Sequence, residues 1–69
     1  MSEMISVNGV LQPLNYLKLF DLLEDSGVDG RQGGVAVALN GEVVPRADWA
    51  QTSLKSNDKV EIVQIVRGG

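Results

Sequence analysis

The residues best suited to chemistry in this sequence are the last ones, where Gly68 and Gly69 follow Val66 and Arg67. Because glycine has no Cβ atom, two successive glycines can lie in a narrow channel and let another protein's backbone approach closely. At roughly 3.3 Å per residue, residues 66–69 can project about 13 Å beyond a folded domain. Adenylation would turn the Gly69 carboxylate into an acyl donor, which a sulfur nucleophile can convert to a thiocarboxylate. We therefore predict that Gly69 is the group on which partner enzymes act.

An uninformative frayed terminus is the alternative interpretation, since chain termini are commonly disordered. Chance alone would place two terminal glycines on only about 0.5% of chains, given an average glycine usage of about 7%. We favour the functional interpretation because the predicted order of strands, set out below, ends with an apolar strand a single residue before the two glycines. Residues 67–69 are predicted to form a mobile tail, in which a partner recognises Gly68 and Arg67.

The rest of the sequence offers little for an independent enzyme. It contains no Cys and no His, which removes thiolate chemistry, the commonest zinc ligands and the usual general base at neutral pH. The serines have no ordinary base to activate them. The carboxylates, Asp58 among them, are interpreted as turn residues or solvated positions. We expect no catalytic residue and no metal site, and hence a carrier rather than an enzyme.

Composition limits the remaining classes of function. A chain of 69 residues supports one small domain, predicted over residues 1–69, that buries about 60% of its unfolded surface. The net charge is -3, the six Lys and Arg are scattered and there are three aromatic residues, which argues against nucleic-acid binding. The first residues contain no basic segment and no long apolar run, so neither a signal peptide nor a membrane span is expected, and the predicted location is cytoplasmic.

The first half of the sequence predicts a hairpin followed by a helix. Ile5 and Val7 alternate with polar residues before Asn8-Gly9, a dipeptide that favours a two-residue turn between strands. Pro13 is expected to end the second strand. A helix is predicted over residues 16–25, with Asn15 as its cap, an apolar face that includes Phe20, and Gly27 as its left-handed stop.

The second half predicts three further strands. Residues 29–34 are rich in glycine and are interpreted as a flexible connection, since no complete phosphate-binding motif is present. Strand residues 35–39 lead to a second Asn-Gly turn at Asn40, and Pro45 is expected to end the strand that follows. Residues 46–54 suit a short helical turn anchored by Trp49 and Leu54. After another turn at residues 56–58, the last strand is predicted over residues 60–66.

This order of elements predicts an α+β fold of the β-grasp type. The economical arrangement is one mixed sheet of about four or five strands, with the helix across one face and the first and last strands parallel at its centre. A sheet stacked on itself without the helix is the alternative, but the helical pattern is strong. The last strand is apolar on both faces, and one helix covers only one of them. We therefore predict Val63 and Ile65 as a partner surface, the alternative being that loops cover them.

Two stretches resemble the ThiS family, the bacterial sulfur carriers of thiamine thiazole synthesis. The first stretch, at residues 38–49, contains an apolar strand, Asn40, an apolar pair, Pro45-Arg46 and Trp49; the second, at residues 58–69, is similar to the family's closing strand and tail. The resemblance covers nearly the whole chain. The departures are a few extra residues before Met4 and the glycine-rich loop at residues 30–34.

The resemblance implies how such a carrier works. A ubiquitin-activating-type adenylyltransferase would use ATP to adenylate Gly69, a sulfur-donating enzyme would supply the sulfur for the thiocarboxylate, and thiazole synthase would receive it. ATP belongs to the partner, so no cofactor is assigned to the carrier. Pro45 and Trp49 are interpreted as strand termination and packing, and Arg46 also as a candidate partner contact. Two alternatives stay open: the similar small subunit of molybdopterin synthase, and an interaction module that never carries sulfur.

Overall fold

The computed structural model describes residues 3–28 and 34–64, and these form five strands, one α-helix and one 3₁₀ helix. In chain order the elements are β1 (Met4–Val7), β2 (Val10–Pro13), α1 (Leu19–Asp25), β3 (Val35–Leu39), β4 (Glu42–Val43), the 3₁₀ helix (Arg46–Gln51) and β5 (Lys59–Gln64). Ile65 and the predicted tail, with Arg67, Gly68 and Gly69, lie outside the described residues, as do residues 29–33 of the predicted flexible connection. The prediction of one domain over residues 1–69 stays a prediction.

The strands form one mixed sheet in the order β2-β1-β5-β3-β4. β1 pairs in parallel with β5, whereas the two hairpins, β1–β2 and β3–β4, and the β3–β5 pair are antiparallel. β5, the last of the described strands in the sequence, is therefore at the centre of the sheet, next to β1, the first. This arrangement confirms the predicted α+β, β-grasp topology.

The helix begins later than predicted. Lys18 precedes it in an extended conformation with φ -121° and ψ 149° and makes no side-chain capping bond in the described structure. The reason lies in tertiary hydrogen bonds: the amide of Leu54 donates to the carbonyl of Leu17, and the amide of Leu19 donates to the carbonyl of Thr52. These bonds hold the segment before α1 extended. The prediction of a helix from residue 16 with Asn15 as its cap is wrong.

The helix ends as the sequence predicts. Gly27 has a φ of 83°, its amide donates to the carbonyl of Glu24, and the amide of Val28 donates to the carbonyl of Leu23. This pair of bonds is the Schellman arrangement that closes many helices. The predicted helix face is only partly right, because Phe20 is 39% exposed while Leu22 is buried.

The core lies between α1, the 3₁₀ helix and one face of the sheet. Trp49 is 3% exposed and its Nε1 donates to the carbonyl of Val44 at 2.9 Å, which confirms its predicted packing role. None of the helices in residues 3–28 and 34–64 is long and apolar enough to cross a membrane. The buried apolar residues are Ile5, Leu19, Leu22, Leu23, Val28, Val37, Trp49, Leu54 and Val60.

Candidate functional site

The candidate site starts at the end of β5, the strand that leads toward Gly68 and Gly69. β5 lies between β1 and β3, and Gln64 at its end is in register with Val35 of β3. Central strands are held from both sides, so β5 gives the following residues a fixed point of departure. The reactive group predicted at Gly69 lies outside the described residues, and the structure describes the base from which it extends.

Asn8 holds β5 from the β1 side. Its backbone is left-handed, with φ 51°, and its amide donates to the carbonyl of Val60 at 2.9 Å. In a regular parallel ladder the carbonyl of the same residue would then accept the amide of Ile62. Here the side-chain Oδ1 of Asn8 accepts that amide instead, at 2.7 Å. Asn8 therefore forms the hairpin turn and still completes the next rung of the ladder.

Asn40 does the same from the β3 side, at the start of β5. Its φ is 53°, its amide donates to the carbonyl of Lys59 at 2.8 Å, and its Oδ1 accepts the amide of Lys59 at 2.9 Å. Its Nδ2 also donates to Asp58 at 2.9 Å, and the other Asp58 oxygen accepts the amide of Lys55 at 2.8 Å. Asp58 lies in the predicted turn but is only 9% exposed, so the interpretation as a solvated carboxylate is corrected.

The sheet face opposite the helix carries an apolar patch. Val60 is buried and Ile62 packs on the core, so alternation along β5 places Glu61 and Val63 on the opposite face. Val63 is in register with Ala36, and Ala38 with Val43 on the next strand. Val63 is 55% exposed and Val43 73% exposed. We call Ala36, Ala38, Val43 and Val63 the outer patch; its role as a partner surface stays a prediction.

Charged groups next to the outer patch come from β5 itself. Lys59 and Glu61 alternate with the inward-facing residues of β5 and so lie on the same face of the sheet as Val63. Lys59 is in register with Ser6 of β1. Within residues 3–28 and 34–64 there is no group of three or more His, Cys, Asp or Glu residues that could hold a metal ion. The apolar face beside the chain's last strand is suited to contact with another protein, and Arg46, exposed in the 3₁₀ helix, remains a candidate contact.

A tyrosine with a raised pKa lies beside α1, away from the end of β5. The hydroxyl of Tyr16 donates to the carboxylate of Asp25. This hydrogen bond raises the pKa of the Tyr16 hydroxyl above its ordinary value, and desolvation and the charge of Asp25 act in the same direction. The pair ties the segment before α1 to the last turn of α1 and adds no reactive group at the end of β5.

Sequence reasoning missed the role of the two asparagine side chains. Both Asn-Gly dipeptides were predicted as turns from their preference for positive φ. Asparagine also offers an acceptor that glycine lacks, which is the signal that could have suggested a bond to a neighbouring strand. Which strand receives that bond depends on the sheet order, and this became visible only in the structure.

The five-stranded mixed sheet crossed by α1 is a ubiquitin-like β-grasp domain. The ThiS family model matches residues 3–69. The chain therefore belongs to the ThiS family.

Relatives and a solved structure agree with this assignment. The chain is 41% identical over 49 residues to the sulfur carrier protein ThiS of Escherichia coli, covering 71% of each chain. It is 36% identical over 66 residues to ThiS of Thermus thermophilus, covering 96% of this chain and all 100% of the relative. The crystal structure of the thiamine biosynthesis protein ThiS from Geobacter metallireducens superimposes with a TM-score of 0.75 at 32% identity, covering 96% of this chain and 99% of that one.

A third relative is an enzyme. The chain is 46% identical over 48 residues to a thiazole synthase of Paramagnetospirillum magneticum, which covers 70% of this chain and 14% of that protein. The match therefore concerns a small segment of the synthase. The two relatives similar along most of their length are named as carriers, which confirms the predicted class of carrier rather than enzyme.

Proposed function

We propose that this protein is the sulfur carrier of thiamine thiazole synthesis, with the carboxylate of Gly69 as its sulfur-carrying group. The observation that carries the proposal is that the ThiS family model matches residues 3–69 and so includes Gly68 and Gly69. The names of the relatives, sulfur carrier and thiamine biosynthesis proteins, support it further. They also favour thiamine over the molybdopterin alternative.

The proposed chemistry proceeds in two steps. A Gly69 carboxylate oxygen attacks the α-phosphate of ATP held by the activating enzyme, which forms an acyl-adenylate and releases pyrophosphate. Hydrosulfide supplied by the sulfur-donating enzyme then attacks the acyl carbon and AMP leaves with the bond between the acyl carbon and its oxygen broken, so that one oxygen of the carboxylate is replaced by sulfur. The carrier binds no cofactor of its own in this scheme. Its contribution is a terminus thin enough to enter the partner's channel.

Thiazole synthase is the proposed acceptor of the sulfur. A segment similar to this chain forms part of a thiazole synthase in Paramagnetospirillum magneticum. A carrier and its acceptor joined in one protein are held at high effective concentration, which favours transfer between them. The adenylyltransferase and the sulfur donor are proposed from the chemistry that Gly69 requires.

The outer patch is the proposed docking surface for these partners, together with Ile65. It is apolar, it is exposed at Val63 and Val43, and it includes the part of β5 nearest the tail. Contiguous exposed apolar surface of this kind marks many protein interfaces. Docking on the patch would place the tail close to the partner's reaction centre.

Removal of Gly69 tests the proposal most directly. The deletion withdraws the terminal carbon by about 3.3 Å, and near-attack geometry tolerates far less, so loading should fall by at least about a hundredfold. Replacement of Gly68 by Val should also impair loading, through exclusion from the channel. Intact-protein mass spectrometry after incubation with ATP, the activating enzyme and a sulfur source measures the exchange of oxygen for sulfur.

The matched control is Gly69→Ala, which keeps the chain length and a terminal carboxylate and should load detectably. Equal loading of the Gly69-deleted and full-length chains would refute the carrier mechanism. Partner binding without any loading of the full-length chain would instead identify an interaction module.

A charged residue in the outer patch tests the docking surface. Val63→Lys should weaken binding of the activating enzyme by about tenfold, since a desolvated charge at an interface costs more than 1 kcal/mol. Leu17→Lys is the matched control, because Leu17 is 82% exposed and apolar but precedes α1. Titration calorimetry gives both affinities, and equal weakening by both variants would remove the outer patch from the proposal.

A further inference from the structure

We propose that Asn8 is a positioning residue for sulfur loading, because its side chain fixes the direction in which the end of β5 delivers the tail. This inference rests on the proposed function. It goes beyond that function by assigning a role to a turn residue far along the sequence from Gly69.

The first step of the argument is where Asn8 acts on β5. β1 and β5 are in register at Ser6 with Lys59 and at Val7 with Val60, and the Asn8 amide then bonds to the carbonyl of Val60. β1 turns away at Asn8 into the hairpin, while β5 continues to Gln64. Without the Asn8 side chain, the amide of Ile62 would lose the acceptor it has on this side of the sheet.

The second step is that few residue types satisfy both demands at this position. The φ of 51° is disfavoured for most L-residues and tolerated by Gly, Asn and Asp. Among these three, Asn and Asp present a side-chain oxygen that can accept the Ile62 amide. Glycine preserves the turn and removes the bond, whereas aspartate preserves both. The two substitutions therefore separate the turn from the bond.

The third step links the bond to the tail. Ile62 lies opposite Val37 of β3 on its other side, and the Asn8 side chain supplies the hydrogen-bond acceptor for its amide from the β1 side. Gly69 lies seven positions beyond Ile62, and once a partner's channel orders the predicted mobile tail, the direction of the strand at Ile62 affects where the terminal carbon is presented. Since reacting atoms must meet within about 3–3.5 Å, a β5 that is held beyond Val60 from the β3 side alone should populate the productive geometry less often.

The expected signature is a loss of kcat for adenylation with little change in KM. Most of the outer patch lies on β3 and β4 and does not depend on Asn8, so docking should persist. Asn8→Gly should lower kcat about fivefold, the population change that one net hydrogen bond controls. Asn8→Asp should restore kcat to within about twofold of the wild type, since it keeps the acceptor.

Asn40→Gly is the matched control, because it breaks the same kind of bond at the start of β5. It should destabilise the fold more than Asn8→Gly and yet leave kcat within about twofold of the wild type, measured well below its unfolding temperature. Amide hydrogen exchange gives a second measurement: exchange at Ile62 should rise about fivefold in Asn8→Gly and stay unchanged in Asn8→Asp.

The outcomes are distinguishable. Loss of kcat in Asn8→Gly, its rescue in Asn8→Asp and its preservation in Asn40→Gly support positioning. Unchanged kcat or unchanged Ile62 exchange in Asn8→Gly, absence of rescue by Asn8→Asp, or a fall in kcat that follows stability in both glycine variants overturns it while the proposed function stands. If the wild-type chain is not loaded by the activating enzyme, ATP and a sulfur source, the proposed function fails and this inference fails with it.

Discussion

The two Asn-Gly turns of this protein share one device but differ in how firmly it is supported. Asn8 and Asn40 both have positive φ, and each replaces its own carbonyl with its side-chain oxygen in a bond to β5. Asn40 is further tied to the buried carboxylate of Asp58, which also accepts the Lys55 amide. The start of β5 is thus held by a network, whereas the bond from the Asn8 side chain to Ile62, further along the strand, has no such support described, so we expect stability to depend more on the Asn40 turn than on the Asn8 turn.

The largest loss of stability is expected from Asp58→Ala, which breaks the support of the Asn40 turn. It leaves the Asn40 Nδ2 and the Lys55 amide without their acceptor, and we expect a loss of about 3 kcal/mol in the free energy of unfolding. Urea unfolding measures it. Asp48→Ala, at an exposed position in the 3₁₀ helix, is the control and should cost less than about 0.5 kcal/mol. Similar losses in both would mean that the network adds little.

Asn40→Gly should come next, at about 2 kcal/mol, because it preserves the turn and removes the bonds to Lys59 and Asp58. The same urea titration applies. Combined with Asp58→Ala it should cost clearly less than the sum of the two single variants, since both disrupt one network. Additive losses would contradict the coupling of Asn40 and Asp58.

The glycines of the two turns should respond alike. Gly9 and Gly41 have φ of 83° and 86°, and a Cβ atom added at either would meet nothing within 4 Å. The cost of Gly9→Ala and of Gly41→Ala is therefore conformational and should be about 1.5 kcal/mol in each. Thermal unfolding of both variants measures it. A large difference between the two losses would mean that the turns differ in backbone strain as well as in the bonds of their asparagine side chains.

Asn8→Gly should cost about 1 kcal/mol, roughly half the loss from Asn40→Gly, because it removes the bond to Ile62 alone among those described for this side chain. Urea unfolding of the two variants side by side gives the ratio. Equal or reversed losses would show that the end of β5 is held as firmly as its start.

The smallest loss of stability is expected from Tyr16→Phe, which removes an exposed hydrogen bond that belongs to neither turn. Its loss is a reference against which the losses at the two turns can be compared. The raised pKa of Tyr16 means that the folded state keeps the phenolic proton more tightly than the unfolded state. Its stabilisation is fully present below the ordinary tyrosine pKa of about 10 and is lost as the pH rises through the higher folded value. Tyr16 is the single tyrosine, so ultraviolet absorbance of the phenolate reports this titration directly, and a midpoint at or below the ordinary value would contradict it.

Local patterns in the sequence predicted much of the fold. The Asn-Gly turns, the helix stop at Gly27 and the alternation that exposes Val63 depend on neighbouring residues, and the structure confirms these positions. The start of α1 was missed because it depends on bonds from Leu19 and Leu17 to residues 52–54. The burial of Asp58 was missed for the same reason, since its partner Asn40 is 18 positions away. At the candidate site, residue types predict a reactive terminus at Gly69, which stays a prediction, whereas the bond from Asn8 to Ile62 could not be predicted without the order of the strands.

The central position of β5 also has a consequence for how the chain folds during its synthesis. β5 leaves the ribosome after every other described element, yet β1 and β3 pair with it and not with each other. The two hairpins made earlier have no shared sheet until this strand arrives, and isolated two-stranded hairpins are marginally stable at best. The long stretch of chain between β1 and β5 must be brought together before the contacts between these strands can stabilise the fold, and this loss of entropy slows folding. The domain should therefore acquire its structure late and cooperatively, with a nascent chain that stays open to proteases until the last strand has emerged.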